Sequence, residues 1–592
     1  MVSAWSALLH DEMHESYAAR HMHVREKLLE AFKDPFFQPD YYLSIPAYRE
    51  LTLQRLKLVA DMKLFSVVDY VEDPMKFQIA LETLAWCDYS LSIKAGVHFS
   101  LCGGTIAKLG TAKHHRKYFK GIDTLTLPGC FGMTELGHGS NVMGIETTAM
   151  YDHENKEFII HTPSDEASKF WIGGAALHAK ICTVFAQLTI NGKQEGPHAF
   201  VVRLRDDYGH LSPGVRIEDN GPKMGLNGVD NGRIWFNHVR VPKDDLLDAF
   251  ATVDDKGNYC SKIQSVSQRF AVTVGALTAG RTIIAQSAAD ASKLGLIIAI
   301  RYSLKRPQFG SKPIMEYLTH RLRLIPCLAS TVAWHLALQH LKMIAIHNKP
   351  EDSKLLHVMS SGLKSAATWS RVETLQICRE CCGGQGFLAK NRIGAYKTDC
   401  DVDVTFEGDN TVLMQQVAKY LLDQASSRKE IPLPKRSPRD KDFLSPDHLL
   451  ALFEYREWQL TSAISKDMKE KGQDGYDANL DKVVRLGWAY TERMCLELFS
   501  QKVNSADHRV QPVLATLMKI FALSRIEKDL GTFVVVGTLG SKCAEGVREQ
   551  LISHCNGLVD AEDGSILLQV CDAFGLPDHV LHAPIAFNWS KL

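Results

Sequence analysis

The chain has 592 residues, which is too long for a single hydrophobic core and predicts three or four domains. It carries 68 basic and 68 acidic side chains, so its formal net charge is zero at pH 7. This balance argues against nucleic acid or an anionic membrane as the main partner. Its 14 cysteines show no paired zinc-like spacing, so we predict reduced structural thiols in an intracellular protein and no metal site.

Apolar spacing predicts a mainly α protein with a central β domain. Apolar residues recur at helical spacing in the first part of the chain, and short β-rich runs with turn signals such as Asn191-Gly192 follow. Long helical patterns then return, and three prolines mark a linker before the last helices. The predicted order is an N-terminal helical domain at 1–125, a central β domain at 126–245, a helical bundle at 260–425, a linker at 426–444 and a C-terminal helical domain at 445–592.

The sequence predicts no membrane span and one targeting signal, which lies at the C-terminus. We expect no membrane span, because no segment has the long uncharged apolar run that a span requires. The N-terminus has no signal-peptide core, and its acids argue against a mitochondrial transit peptide. The chain ends in Ser590-Lys591-Leu592, the tripeptide that the peroxisomal import receptor reads at a free C-terminus. The sequence therefore predicts a peroxisomal protein.

Glu407 precedes an amphipathic helix pattern in a setting that suits a general base. Phe406 makes the surroundings apolar, Gly408 permits close approach of another group, and Asp409 or Asn410 can cap the following helix. A carboxylate in this setting is poorly solvated, so we expect its pKa to rise toward the range in which a general base works. The alternative is an ordinary acid in front of a helix.

Three further segments contain residue types suited to a large planar or phosphorylated ligand. Phe131–Asn141 brings glycines and hydroxyls to the start of the β domain, where a structural turn is the alternative. Lys169–Gly174 places an aromatic residue before paired glycines, where a core tryptophan is the alternative. Arg301–Gly310 ends a helix with donors suited to a pyrophosphate, where a solvated helix end is the alternative.

Together with the Glu407 segment, these motifs resemble the acyl-CoA dehydrogenase and acyl-CoA oxidase superfamily from about residue 40 to residue 425. The intervals are also similar to the family's, since Arg281 lies 25 residues before Arg306 and Gly383 lies 24 before Glu407. The C-terminal helical region resembles that of peroxisomal acyl-CoA oxidases. The resemblance implies a helical, β-barrel and helical-bundle architecture followed by a C-terminal helical domain.

The resemblance implies FAD as the cofactor and a role for individual residues. It implies that Glu407 is the catalytic base and that Arg281 lies near the CoA moiety. It also implies a homodimer, because the segment around Arg306 reaches the FAD of the partner subunit in the family. The implied FAD contacts are Thr134, Ser140, Trp171, Gly173, Arg306, Gln308, Phe309, Gly383, Gly384 and Gly386.

Two departures from the dehydrogenase pattern favour an oxidase. Gly173 stands where dehydrogenases usually carry a threonine beside the flavin, and we hypothesise that its small size opens room for O2. The base segment Phe406–Asn410 reads as in oxidases. We therefore interpret the sequence as a peroxisomal FAD-dependent acyl-CoA oxidase that converts acyl-CoA and O2 to trans-2-enoyl-CoA and H2O2 in fatty acid β-oxidation. The alternatives are a long-chain acyl-CoA dehydrogenase with an electron-transfer partner and a non-catalytic flavin-fold protein.

Overall fold

The computed structural model describes two compact units of the chain. One, the helical unit, comprises Met1–Ala19 and Ile284–Leu592, and the other, the mixed unit, comprises Arg20–Ile283. The described residues are 3–14, 20–275, 278–347, 349–428, 431–436, 445–535, 537, 539, 541–560, 565–588 and 590.

Among the described residues, eight α-helices precede the β region of the chain, and a ninth follows it. The first nine are α1 (Ala4–Met13) in the helical unit and, in the mixed unit, α2 (Met22–Ala31), α3 (Ile45–Asp61), α4 (Asp69–Glu72), α5 (Pro74–Cys87), α6 (Tyr89–Ala95), α7 (Gly104–Leu109), α8 (Ala112–Asp123) and α9 (Val266–Gly275). Side-chain caps fix several starts, as where Asp88 accepts a hydrogen bond from the Leu91 amide at 3.2 Å. A π-helical segment, Gly96–Gly103, connects α6 to α7.

The β region of the mixed unit lies between α8 and α9. Its strands are β1 (Gly129–Gly132), β2 (Thr148–Asp152), β3 (Glu157–His161), β4 (Lys169–Gly173), β5 (Ile181–Ile190), β6 (Lys193–Arg203), β7 (Val215–Asp219), β8 (Asn231–Phe236), β9 (Val239–Pro242), β10 (Ala251–Val253) and β11 (Tyr259–Ser261). A six-stranded sheet has the order β1-β5-β2-β3-β9 with β6 paired to β5, a three-stranded sheet has the order β4-β8-β7, and β10 pairs with β11.

Strand register follows from side-chain alternation and turn chemistry. In β8 every second residue is buried, so that Ile234 and Phe236 join Phe158 and Phe200 of the larger sheet in one apolar core. The hairpin between β5 and β6 turns at Asn191-Gly192, where both residues have positive φ, as a type I′ turn requires. The predicted turn signal at this position is confirmed.

The helical unit is built from long helices that pack side by side. After α1 it contains α10 (Thr278–Lys305, whose first residues belong to the mixed unit), α11 (Leu318–His347), α12 (Ser353–Cys381), α13 (Ile393–Asp399), α14 (Asn410–Ser426), α15 (Pro446–Lys471), α16 (Gln473–Asp477), α17 (Leu480–Ser505), α18 (Gln511–Lys528), α19 (Leu530–Val535), α20 (Ser541–Asp560), α21 (Ser565–Asp572) and α22 (Asp578–Leu581). Gly487 lets α17 cross close to α14, because a β carbon there would clash with the Met414 carbonyl.

Two long helices are strongly apolar. Ala279–Lys305 and Leu318–His347 are long and apolar enough to cross a membrane by length and composition alone, and the expectation that the chain has no membrane span stays a prediction. The most apolar window of the first helix is 100% buried inside the protein, and that of the second is 89% buried. Helices that are hydrophobic on all sides and buried in this way are typical of the core of a large bundle.

The predicted fold class is confirmed. The chain is mainly helical, with a central β region and a further set of helices after the bundle. The predicted domain boundaries stay predictions. Residues 429–430 and 437–444 of the predicted linker lie outside the described residues, and so do Lys591 and Leu592 of the C-terminal tripeptide.

Candidate functional site

Glu407 lies in a tight turn between a 3₁₀ segment, Asp401–Val404, and the start of α14. Its φ is +56°, and that of Gly408 is +106°. The left-handed conformation costs a non-glycine residue about 1–3 kcal/mol and persists only where the surroundings fix it. The side chain is half-buried, and its Oε2 atom is hidden from solvent. Such strain is concentrated at functional sites, which makes Glu407 a strong candidate.

The turn is closed by the cap of α14. The carboxylate of Asp409 accepts hydrogen bonds from the amides of Thr411 at 2.9 Å and Val412 at 3.2 Å. The prediction that a residue of this segment caps the helix is confirmed, and Asp409 is that residue. The cap fixes where α14 begins and therefore where the turn must end.

Lys364, Thr368 and Arg371 form a buried polar stripe on α12, which faces the turn that carries Glu407. Lys364 donates a hydrogen bond to the Gly408 carbonyl at 2.7 Å and to Asn410 Oδ1 at 2.9 Å. Asn410 Nδ2 in turn donates to Thr368 Oγ1 at 2.9 Å. These contacts hold the chain immediately after Glu407.

The same stripe also holds the chain before Glu407. Arg371 forms an ion pair with Asp403, and both side chains are buried. The sequence reading missed this pair and Lys364, because their partners lie more than 30 positions along the chain. The available signal was the helical spacing of Lys364, Thr368 and Arg371 within α12, which places them on one face of the helix.

The loop after α10 contains Arg306, Gln308 and Phe309, which the resemblance assigns to the FAD of the partner subunit. The amide of Gln308 donates to the Lys312 carbonyl at 3.0 Å, which closes the loop that begins at Arg306. At its tip Phe309 has a φ of +53° and is 88% exposed, and Gly310 also has a positive φ. A phenyl ring with this exposure is available to a ligand or a second subunit.

The glycine segment after α12 exposes its backbone. Gly383 has a φ of +57°, and a β carbon at Gly383 or Gly384 would meet only open space. Gly386 is required for a different reason, because a β carbon there would clash with the Arg379 carbonyl. This part of the helical unit therefore presents backbone groups that a ligand can approach closely.

Tyr302 connects the Arg306 loop with the glycine segment. Burial raises the pKa of Tyr302, and the Arg306 guanidinium and the Cys382 thiol both lie close enough to influence it. Cys382 directly precedes Gly383. The structure thus brings Arg306 and the glycine segment to the same part of the helical unit.

In the mixed unit, Trp171 occupies an irregular position of β4. Its φ is +63°, and the pairing of β4 with β8 shifts register between Lys169 and Ile172. The Trp171 carbonyl accepts a hydrogen bond from Asn231 Nδ2 at 3.0 Å, and 55% of the residue is exposed. The alternative of a core tryptophan is wrong.

A buried ion pair anchors the loop that carries Thr134. The Thr134 carbonyl accepts from the Phe170 amide at 3.0 Å, which brings Thr134 beside the strand of Trp171. The adjacent Glu135 is buried and bonds Lys169 at 2.9 Å. Burial alone would raise the pKa of Glu135, but the Lys169 charge and several hydrogen bonds hold it below its ordinary value. The sequence reading missed this pair as well.

Gly173 borders a small apolar cavity in the mixed unit. A β carbon at Gly173 would lie 3.2 Å from Val97 Cγ2 and 3.3 Å from Val229 Cγ1. The cavity has a volume of about 20 Å³, enough for one molecule of about the size of water. Its lining includes Leu53, Leu56, Leu125, Pro128, Gly174 and Ala179.

The two other predicted residues occupy contrasting positions within the mixed unit. Ser140 is exposed on the segment that follows β1. Arg281 is buried in the first turn of α10. The roles that the resemblance assigns to both stay predictions.

Comparisons with known proteins agree with this architecture. Family models match the middle domain of acyl-CoA dehydrogenases at residues 130–239, the C-alpha1 domain of acyl-CoA oxidases at 274–422 and the acyl-CoA oxidase model at 445–588. Peroxisomal acyl-coenzyme A oxidase 3 of Arabidopsis thaliana is 38% identical over 586 residues, covering 94% of this chain and 86% of the relative. Human peroxisomal acyl-coenzyme A oxidase 3 is 32% identical, covering 93% and 85%.

A solved structure shows the same fold. The crystal structure of acyl-CoA oxidase 3 from Yarrowia lipolytica superposes with a TM-score of 0.89 at 29% identity, covering 98% of this chain and 88% of that one. The β region flanked by helices and the matched middle domain define a protein of the acyl-CoA dehydrogenase class. Within this class, the chain belongs to the acyl-CoA oxidase family.

Proposed function

We propose that this peroxisomal enzyme oxidises acyl-CoA with O2 to trans-2-enoyl-CoA and H2O2, and that Glu407 removes the α proton. The family supplies the reaction class, and no finding favours the dehydrogenase alternative. The observation that carries the assignment of the base is the left-handed backbone of Glu407, held in a turn with buried contacts on both sides. Such an arrangement fixes the direction in which the Glu407 side chain leaves the backbone.

The residues present fit FAD in each unit considered by itself. In the mixed unit, the exposed Trp171 offers an aromatic face, and the resemblance assigns Thr134, Ser140 and Gly173 beside it. In the helical unit, Gly383 and Gly384 have open space where side chains would stand, so their backbone is accessible to the cofactor. FAD held by these residues would supply the acceptor for the hydride of the substrate β carbon and the route of its electrons to O2, with H2O2 as the product.

The chain's own part in the reaction is to hold and move a proton. A carboxylate oxygen of Glu407 accepts the proton from the α carbon of the thioester, so the developing negative charge spreads onto the thioester oxygen. Gly408 has no side chain that would block the approach of the acyl group. We place Arg281 beside the CoA moiety on the basis of the resemblance.

We also propose a homodimer and receptor-mediated import. The exposed Phe309 at the tip of its loop supports a contact with a second subunit, and Arg306 and Gln308 would contact the partner's FAD from the same loop. Ser590 is exposed at the end of the described chain, which suits recognition of the C-terminal tripeptide by the import receptor.

The proposed base is tested with Glu407→Gln, which keeps the shape of the side chain and removes its basicity. We expect turnover to fall by about 10³-fold while FAD stays bound, since a positioned base contributes a factor of this order. The assay measures H2O2 from acyl-CoA of several chain lengths in the absence of an added electron acceptor. It also determines the chain-length preference.

The matched control is Glu373→Gln on α12. Glu373 is a partly exposed glutamate that pairs with Lys528 on the surface, so its neutralisation should leave turnover within about twofold. Wild-type turnover by Glu407→Gln would remove Glu407 from the mechanism. A wild-type enzyme that reduces its flavin but forms no peroxide would contradict the oxidase assignment.

A further inference from the structure

Lys364 is a fully buried lysine whose amino group bonds the turn that carries Glu407. Its Nζ donates to the Gly408 carbonyl at 2.7 Å and to Asn410 Oδ1 at 2.9 Å. These acceptors belong to the residues one and three positions after Glu407. A lysine ammonium has three donors and no acceptor, so it can satisfy both groups at once.

The backbone at this point needs an external constraint. Glu407 and Gly408 are two successive residues with positive φ, at +56° and +106°. A side chain with a β carbon rarely adopts this conformation, and it persists where surrounding contacts determine it. Local sequence supplies the glycine and the Asp409 cap, and Lys364 adds a bond to the Gly408 carbonyl, which lies between them.

The lysine itself is held by a rigid element. It lies within the 29-residue helix α12, and the neighbouring Thr368 and Ser365 bond Asn410 from the same face. Asn410 is buried and receives contacts from both Lys364 and this face. The contact with Lys364 therefore fixes the position of the Gly408 carbonyl relative to the long helix α12.

We propose that Lys364 is the positioning residue for the general base. By fixing the Gly408 carbonyl and Asn410, it maintains the left-handed backbone of Glu407 and so aims the carboxylate at the α proton. Lys364 transfers no proton in this scheme, because the proton passes only from the α carbon to Glu407. The inference rests on the proposed function of Glu407 as the base.

The test replaces Lys364 with methionine, which keeps a long side chain and removes the donors. We expect kcat to fall about 100-fold, since a displacement of about 1 Å at a reacting group has an effect of this size. KM and FAD content should change by no more than about twofold, because neither depends on the orientation of Glu407. Lys364→Arg, which retains the charge and the donors, should recover part of kcat.

A spectroscopic measurement separates positioning from general damage. An acyl-CoA with sulfur in place of the β carbon loses its α proton to the base but cannot be oxidised, and its anion gives a long-wavelength absorbance with oxidised flavin. In Lys364→Met this absorbance should fall, and the pH at which half of the absorbance has formed should shift. The flavin spectrum without ligand should stay unchanged. A structural role alone would leave the pH midpoint in place.

Lys293→Met is the matched control. Lys293 is another buried lysine of the helical unit, bonded to Asp290 at 2.8 Å and to His335 at 3.1 Å. Its replacement should lower the melting temperature but leave kcat and the absorbance within about twofold. An equal loss of kcat in both variants would overturn the proposal.

The remaining outcomes distinguish a failure of the proposed function from a failure of the role of Lys364. Wild-type enzyme that makes no peroxide contradicts the proposed function, whereas wild-type turnover with unchanged Lys364→Met turnover overturns the role of Lys364 alone. Should Lys364→Met fail to fold, Asn410→Ser removes one of the two acceptors of Lys364. In that variant we expect about a tenfold loss of kcat, and full activity would overturn the proposal.

Discussion

Gly173 has two valine side chains close to where its β carbon would lie. The distances of 3.2 Å to Val97 and 3.3 Å to Val229 are too short for relaxed packing. A larger residue must therefore push these side chains aside and fill the apolar cavity beside them. The hypothesis about O2 access therefore concerns a defined space, the small cavity that Gly173, Val97 and Val229 border.

The prediction at this scale concerns Gly173→Thr. We expect the free energy of unfolding to fall by about 1–3 kcal/mol through overpacking, and reoxidation of the reduced enzyme by O2 to slow. Thermal unfolding measures the first effect, and stopped-flow mixing of reduced enzyme with O2 measures the second. Adding Val97→Ala should restore stability. An unchanged reoxidation rate in Gly173→Thr would refute the O2 hypothesis, whatever the stability.

The π-helical segment Gly96–Gly103 places His98 in a position that only a neutral imidazole suits. Its Nε2 donates to the Ile122 carbonyl at 2.9 Å, and its Nδ1 accepts from the Gly129 amide at 2.9 Å. Burial lowers the pKa of His98 from 6.5 to about 4. The segment thereby joins the end of α8 to the start of β1 through one uncharged side chain.

This geometry predicts a dependence of stability on pH. Between pH 6.5 and about 4 the unfolded chain binds a proton at His98 and the folded chain does not, so the free energy of unfolding falls as pH falls through this window. The loss reaches about 3 kcal/mol at pH 4 for this residue. Urea unfolding between pH 7 and pH 4 should therefore show a smaller loss in His98→Gln than in wild type.

The control for this prediction is His210→Gln. His210 is an exposed histidine of the mixed unit that bonds Asp206, so its replacement should leave the pH dependence of unfolding unchanged. If the curves of wild type and His98→Gln ran parallel over the whole pH range, His98 would not be the neutral group that the structure shows.

At the scale of elements, the sequence predicted those turns and helix caps that a few neighbouring residues determine. The Asn191-Gly192 turn and the cap at Asp409 follow from side-chain chemistry over a few residues, and both are confirmed. The pairing of Lys364 with the Gly408 turn joins residues 44 positions apart, and no local periodicity reports it. The π-helical segment was also missed, because its residues satisfy the ordinary helical pattern.

The same distinction holds for the candidate site. Local motifs singled out the segments of Glu407, Trp171 and Phe309, and the resemblance assigned their roles. The structure shows that all three residues have positive φ. The sequence does not reveal this strain, because positive φ is expected at glycine and none of the three residues is a glycine. Contacts distant in sequence surround two of these residues, since Lys364 bonds the turn of Glu407 and Asn231 bonds the Trp171 carbonyl. Phe309 instead lies in a loop closed by the local bond between Gln308 and Lys312.

At the scale of the whole molecule, the proposed dimer predicts that two inactive variants complement each other. Glu407→Gln lacks the base, and Arg306→Ala should lose activity through weak FAD retention. If Arg306 serves the partner's FAD, a mixed dimer contains one site with an intact Glu407 and an intact Arg306. Random exchange makes half of the dimers mixed, each with one working site, so about one quarter of the wild-type rate should return.

The experiment mixes the two purified variants under conditions that exchange subunits, at an FAD concentration that saturates the wild-type enzyme but leaves Arg306→Ala inactive. Different affinity tags on the two chains verify that mixed dimers form, and peroxide production measures recovery. Arg306 acting within its own subunit predicts no recovery, because each site of the mixed dimer then carries one defect. Exchange without recovery would therefore assign the Arg306 loop to its own chain, and the exposed Phe309 would need another partner.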